Sequence, residues 1–400
     1  MKSFLLNFFK YLVLILVLYL YIHNPLLRII NGVGAAKLLY LLPFAFLYGT
    51  YRKDLVCYSK TVIVTFIIIV YTLLHVLLGG DSTYFHNAIV ALIEVVLCGI
   101  VLAHFIVKSK INYTELIVWF GIVSAALTIV CILLPDVNNF IKNDIVVTND
   151  SLLITERRGF GLSDSLTYNY GMVMSVVFLI LLTDSNLKYY YFAMPFIFLA
   201  AIVNARTGAL IMMVCLVAYL CLNIKEGTKK IINILIIFLI AFFVVGVGFL
   251  SSETLSFATD LFYELYDFTT GSDMASHSSG EELTSNHFTV LPETLDGWIF
   301  GTGDFLYDDS SRRTDSGLML SLNFGGLIYI LLIILYVFSI LRKSITGKEV
   351  ILFSIIVVIA FLKGQFLLNT GGFRLIALYC FCNYLSQVQI KQLHNRKIKI

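Results

Sequence analysis

What this chain of 400 residues lacks first is charge: Asp, Glu, Lys and Arg make up 13% of it, against 59% hydrophobic residues. Soluble domains carry roughly twice that charged fraction. No water-soluble core hides so much apolar surface, so a soluble fold is excluded and lipid must provide the cover. No cleavable leader is expected either. After Met1 and Lys2 the chain is apolar from Phe4 to Ile22 apart from Lys10, and no small-residue cleavage site follows, so this segment is expected to stay as a first span. The seven cysteines fall in no outward loop of the topology below, and no pair has zinc spacing with a histidine nearby. They read as small buried apolar residues, with no disulfide framework.

Motifs are absent too. The chain has no Walker A loop, no Asp-x-Asp pair, no His-Glu-x-x-His helix and no Gly-x-Ser-x-Gly elbow. ATP-driven transport, metal-dependent glycosyl transfer of the Asp-x-Asp type, zinc hydrolysis and serine hydrolysis therefore lack their residues. Neither a metal nor an organic cofactor is expected, and no nucleic-acid partner.

What is present is apolar runs of membrane-crossing length. They predict an all-α polytopic transmembrane bundle of about twelve spans, at 4–22, 35–51, 61–79, 86–107, 115–134, 166–183, 189–204, 207–223, 231–250, 316–341, 350–368 and 373–389. An even number puts both termini on one side. Most of the 28 lysines and arginines gather in one set of short loops and in the tails, which makes that side cytoplasmic. Residues 1–400 then form a single integral membrane domain with two long outward loops. One covers about 135–165. The other, about 251–315, lies between spans nine and ten and carries 13 acidic residues against only Arg312 and Arg313. Near its start Leu255, Ala258, Leu261, Phe262 and Leu265 recur at helical spacing, predicting an amphipathic helix over about 254–268 at the outer interface.

The outward basic residues differ in kind. Seven of ten are arginine, against three of eighteen inside. Sorting by charge does not explain a change from Lys to Arg, whereas two-point binding of phosphate or carboxylate does. Arg206 sits in Asn204-Ala205-Arg206-Thr207-Gly208 between two short spans, each arm reaching only about 25 Å. Its tip lies near headgroup level, where an arginine either snorkels or faces an anion in a cleft. Arg157 and Arg158 open the run Arg157-Arg158-Gly159-Phe160-Gly161, as an interface anchor or as part of an anion site with free glycine N–H groups. Arg312, Arg313 and Asp315 close the acidic loop. Asp315 either caps the next helix or, beside two guanidiniums, accepts a proton from an acceptor hydroxyl. His287 is a second candidate base or an ordinary loop histidine. Arg374, after Gly371-Gly372-Phe373, is an anchor or a further phosphate contact, and Glu94, inside a span, relays protons or serves as a buried structural carboxyl.

Those stretches, together with Thr314-Asp315-Ser316-Gly317-Leu318 and Gly325-Gly326, carry a resemblance. Over nearly the whole chain the architecture resembles the bacterial O-antigen polymerase and ligase superfamily, and most closely the Wzy-type repeat-unit polymerases of O-antigen (lipopolysaccharide) and capsule synthesis. Ligases of that superfamily carry a His-Asn pair where Asp315-Ser316 stands here, which moves the choice towards polymerase. The resemblance implies a multi-pass protein of the bacterial cytoplasmic (inner) membrane. It implies a substrate too, an oligosaccharide repeat on undecaprenyl pyrophosphate, and, as partners, a chain-length regulator and a flippase. Arg206, Arg157 or Arg158, Arg312 or Arg313 and Arg374 would hold the pyrophosphate, and Asp315 or His287 would activate the acceptor. The alternatives are a ligase-type glycosyltransferase and a lipid-linked oligosaccharide flippase.

Overall fold

A computed structural model describes residues 2–31, 33–40, 58–146, 161–163, 168–204, 206–223, 232, 290–304, 306, 314, 316–342, 347–364 and 370–397. The predicted amphipathic helix at 254–268 and the span at 231–250, Ile232 apart, lie outside these residues. Regular structure among the described residues is almost wholly helical. In chain order it comprises α1 (Lys2–His23), a two-residue hairpin of β1 (Leu26–Leu27) and β2 (Val33–Gly34), α2 (Ser59–Leu77) and α3 (Thr83–Lys108). There follow α4 (Tyr113–Leu133), α5 (Pro135–Phe140), α6 (Tyr168–Thr183), α7 (Met194–Asn204, entered through a 3-10 stretch Ser185–Ala193) and α8 (Arg206–Leu222). After these come α9 (Leu295–Phe300), α10 (Gly317–Leu341), α11 (Gly347–Lys363) and α12 (Gly371–Lys397).

Five of these are long and apolar enough to cross a bilayer: Ser59–Leu77, Thr83–Lys108, Tyr113–Leu133, Ser185–Asn204 and Gly317–Leu341. Helices are forced here because hydrocarbon offers backbone N–H and C=O groups no other partner. The burial of α2 is the reverse of a water-soluble helix. Thr61, Thr65 and Thr72 are buried, while Ile63, Phe66, Leu74 and Leu77 are more than half exposed. Thr65 and Thr72 are satisfied within the helix, Thr65 Oγ1 donating to the Thr61 carbonyl at 2.8 Å and Thr72 Oγ1 to that of Ile68 at 3.0 Å, whereas Thr61 Oγ1 accepts from Ser339 Oγ on α10 at 3.1 Å. Polar side chains inward and large apolar ones outward is the order lipid imposes.

The chain divides into two compact units, Met1–Leu38 with Thr114–Ser278 and Ile351–Ile356, and Leu39–Tyr113 with Ser279–Val350 and Val357–Ile400. In the first, α6 packs on α7 and α8. The α6–α8 approach depends on Gly208, since a Cβ there would stand 2.4 Å from the α-carbon of Gly171. Ser175 Oγ bridges the seam, donating to the Gly171 carbonyl at 2.8 Å with the Gly208 carbonyl 2.9 Å away. Small residues at a close crossing replace the hydrophobic drive that lipid removes. The hairpin joins this unit through a bridge from Leu27 to Val146, and Arg28 Nη2 donates to the Lys142 carbonyl at 3.3 Å. In the second unit α2 packs on α10, α3 on α12, and α9 on α10.

Candidate functional site

Six residues on five segments of the first unit form one hydrogen-bonded chain, each at most 2% exposed. His23, the last residue of α1, stacks on Tyr170 with ring centroids 5.5 Å apart and planes at 18°. Its Nε2 lies 2.9 Å from Ser124 Oγ, and its Nδ1 3.1 Å from Ser163 Oγ. A neutral imidazole has one N–H and one acceptor nitrogen, so one serine accepts and the other donates. Tyr170 donates its hydroxyl to the Ser124 carbonyl at 3.1 Å. That uses its single proton, so Thr128 Oγ1, 2.6 Å away, supplies the proton of the bond they share. Asn204 Nδ2 in turn donates to Thr128 Oγ1 at 3.4 Å. Ser124 and Thr128 stand one turn apart on α4, which lets a single face carry both links.

The two ends of this hydrogen-bonded chain both lie a few residues in sequence from arginines. Asn204 closes α7 two positions before Arg206, the first residue of α8. Ser163 follows Gly161, the last residue of the Arg157–Gly161 run. Gly161 has φ +58°, and a Cβ there would lie 3.3 Å from Leu127 Cβ and 3.4 Å from the Tyr19 hydroxyl. Both arginine-bearing stretches are therefore tied to one buried network at the ends that are described.

In the second unit α10 is broken. Gly326 has φ 64° and ψ −165°, outside helical geometry, and its close neighbour is the Ile299 carbonyl, 2.3 Å from where a Cβ would be. The break releases carbonyls that the α9 segment takes up: Thr302 N donates to Asn323 O at 2.6 Å and Gly303 N to Phe324 O at 2.9 Å. Tyr71 on α2 donates its hydroxyl to Gly325 O at 2.8 Å. Asn323 completes the seal, its amide donating to Val290 O and Met319 O, each at 2.9 Å. Interrupted backbone at membrane depth needs such protein partners. Ser316 holds the cap position of α10, so the helix starts two residues after Asp315, and Thr314 and Ser316 on either side are fully buried.

The same unit holds an ion pair between Glu94 and Arg374, with side chains 3% and 5% exposed. Glu94 lies in a π-helical stretch of α3, Ala91–Cys98. The extra residue per turn shifts which side chains face α12, and such stretches recur at functional sites. Arg374, expected at the outer end of the last span as an anchor or phosphate contact, is buried and matched by a carboxylate. For Glu94 the partner was not legible in the sequence, because nothing in a one-dimensional reading aligns the first turn of α12 with the middle of α3.

Of the other residues expected to act, Arg157, Arg158, His287, Arg312, Arg313 and Asp315 lie outside the described residues, as does the side chain of Arg206. Among the described residues no three His, Cys, Asp or Glu side chains gather as a metal ion would require. Sequence reasoning missed His23. The signal that could have found it is the pair Ser124 and Thr128 in an otherwise apolar span, which calls for polar partners on neighbouring helices.

The fold defines the class, an all-α membrane protein. Comparison with protein families, with curated proteins and with solved structures finds no match to this chain.

Proposed function

We propose that this chain polymerises undecaprenyl-pyrophosphate-linked oligosaccharide repeats on the outer leaflet of a bacterial cytoplasmic membrane. In this reading about twelve spans place both termini in the cytoplasm and the 251–315 loop outside. An acceptor hydroxyl attacks the anomeric carbon of the donor glycan and the carbon–oxygen bond to pyrophosphate breaks. The hydroxyl proton passes to Asp315 or His287, and the lipid pyrophosphate leaves. Negative charge grows on the leaving group, and guanidiniums fixed near headgroup level stabilise it without a metal. The observation that carries the reading is the excess of arginine over lysine on the loops read as outward, three of the seven arginines falling in two stretches whose described ends share one buried network.

The test is the surface glycan ladder of a strain deleted for the gene and complemented with wild type or Arg206→Ala. A deletion ladder collapsed to one repeat on its usual anchor, not restored by Arg206→Ala, supports the polymerase and Arg206. Full polymer synthesis with Arg206→Ala removes that residue from the site, and an unchanged ladder in the deletion strain sinks the glycan reading.

A second reading, a lipid-linked oligosaccharide flippase, is favoured by the broken α10 and the buried Glu94–Arg374 pair, since transporters use discontinuous helices and charges inside spans. It predicts repeats trapped on the inner leaflet. Long polymer left on the lipid carrier would instead mark a ligase.

A further inference from the structure

In the first unit a second cluster of polar side chains stands apart from the His23 network. Glu115, in the first turn of α4, is half-buried and accepts from two half-buried phenols. Tyr11 on α1 donates its hydroxyl to Oε2 at 3.4 Å, and Tyr190, in the 3-10 stretch that enters α7, donates to Oε1. Trp119, one turn after Glu115 on α4, meets the Tyr190 ring edge-on, with centroids 5.8 Å apart and planes at 80°. We infer that Glu115, Trp119 and Tyr190, braced by Tyr11, bind the primary ammonium of a zwitterionic phospholipid with a phosphoethanolamine headgroup. This site is independent of the reaction proposed above.

A tyrosine hydroxyl has a single proton, and both phenols spend theirs on the carboxylate. What remains at Glu115 and Tyr190 is lone pairs, and beside them stand the negative ring faces of Trp119 and Tyr190. A primary ammonium brings the complement, three N–H donors and a positive charge that aromatic faces attract. Among the described residues no lysine, arginine or histidine pairs with Glu115. Lys188, two positions before Tyr190, stands over the Tyr189 ring instead, 5.2 Å from its centroid. The helix start favours a carboxylate in the first turn of α4 but supplies only a partial charge. Position selects the source of the ammonium. Glu115 and Tyr190 lie near the starts of two apolar helices of membrane-crossing length, Tyr113–Leu133 and Ser185–Asn204. Exposed apolar side chains follow the two tyrosines along the chain, Leu12 and Leu16 on α1, Phe192 and Phe196 after Tyr190, and Trp119 itself is 38% exposed. A soluble amine gains nothing from that surface, whereas a phospholipid lays its acyl chains on it with its headgroup at the carboxylate. Lys10 and Lys188, both exposed and adjacent in sequence to the tyrosine-bearing turns, offer the headgroup phosphate its counter-charge.

The chain has two tryptophans, so Trp298→Phe leaves Trp119 as a fluorescent reporter at the site. The full chain in this background is placed in mixed vesicles of phosphatidylethanolamine, phosphatidylglycerol and phosphatidylcholine, each lipid in turn carrying brominated acyl chains that quench tryptophan on contact. Quenching of Trp119 should show phosphatidylethanolamine preferred over phosphatidylglycerol by about 5-fold. Phosphatidylcholine keeps the phosphate and the positive charge but has no N–H donor, and should be disfavoured by about the same factor. Glu115→Gln keeps the length of the side chain and removes its charge, and should bring both ratios close to unity. Equal quenching by phosphatidylethanolamine and phosphatidylglycerol with the cluster intact overturns the inference, even if Glu115→Gln fails to fold. A preference that survives Glu115→Gln overturns it as well. Loss of unfolding stability in Glu115→Gln, with no lipid preference when the cluster is intact, would mean that a basic residue of this chain neutralises the carboxylate, and also overturns it.

Discussion

Replacing Glu94 by Leu takes the carboxylate away from the buried Arg374 guanidinium. Glu94 sits roughly 16 Å along α3 from Thr83 at about 1.5 Å per residue, which is about half of a hydrocarbon layer ~30 Å thick. Both side chains are almost wholly buried, so water screens neither charge. An isolated arginine at that depth costs ~2.5–3.5 kcal/mol on insertion scales, and breaking a buried pair by removing one partner costs ~3–5 kcal/mol. Glu94→Leu and Arg374→Met alone should therefore each destabilise the protein by about 3 kcal/mol. The double variant removes both charges and should return to within ~1 kcal/mol of wild type, since apolar replacement of a whole buried pair is often neutral. A double-mutant cycle measures this, with unfolding by dodecyl sulfate titration in bicelles followed by circular dichroism. The expected coupling is roughly 5 kcal/mol, the summed single losses less the double loss. Additive losses in the double variant would refute the reasoning, because they would mean that the two charges do not depend on each other.

Further outcomes follow from the packing. Gly208→Leu must push side-chain atoms into Gly171, and should lower unfolding stability by about 1–3 kcal/mol and disturb the start of α8 that bears Arg206. Gly326→Ala meets both a positive φ and the Ile299 carbonyl, and should cost at least ~1–3 kcal/mol in the same titration, whereas Ala at Gly347, open on all sides, should be silent. Thr65→Val should change stability by less than ~1 kcal/mol, because the lost hydroxyl bonds only the carbonyl of its own helix. Cysteines placed at Ile63 and Phe66, which are exposed on α2, should react with lipid-soluble maleimides and stay protected from charged ones.

The membrane class and several helix ends were legible because hydropathy needs no register. The spans read at 61–79, 115–134 and 316–341 correspond to Ser59–Leu77, Tyr113–Leu133 and Gly317–Leu341. The break at Gly326 was not legible. Gly325-Gly326 sits within a mainly apolar run of span length, and only the approach of the Ile299 carbonyl shows why a positive-φ residue is needed there. His23 escaped for a related reason. It ends an apolar run as an interfacial histidine would, and its partners lie more than a hundred residues away, on α4 and beside Gly161. The 3-10 stretch Ser185–Ala193 reads in part as span, because its aromatic residues are as apolar as a helix requires. Hydropathy reports which residues avoid water but not which of them face one another, and the candidate site depends on the second.

The Glu94–Arg374 pair also sets an order of events for biogenesis. Its carboxyl is made early and its guanidinium with the last helix, so α3 enters the membrane before its partner exists. At ~5–20 residues per second of synthesis, the delay is roughly 15–60 s. Throughout that interval the carboxyl has to be sheltered at the insertion machinery until its guanidinium arrives. Chains that end before α12 would keep that acid in mid-span without its guanidinium, a mark by which membrane proteases could tell an unfinished copy from a complete one.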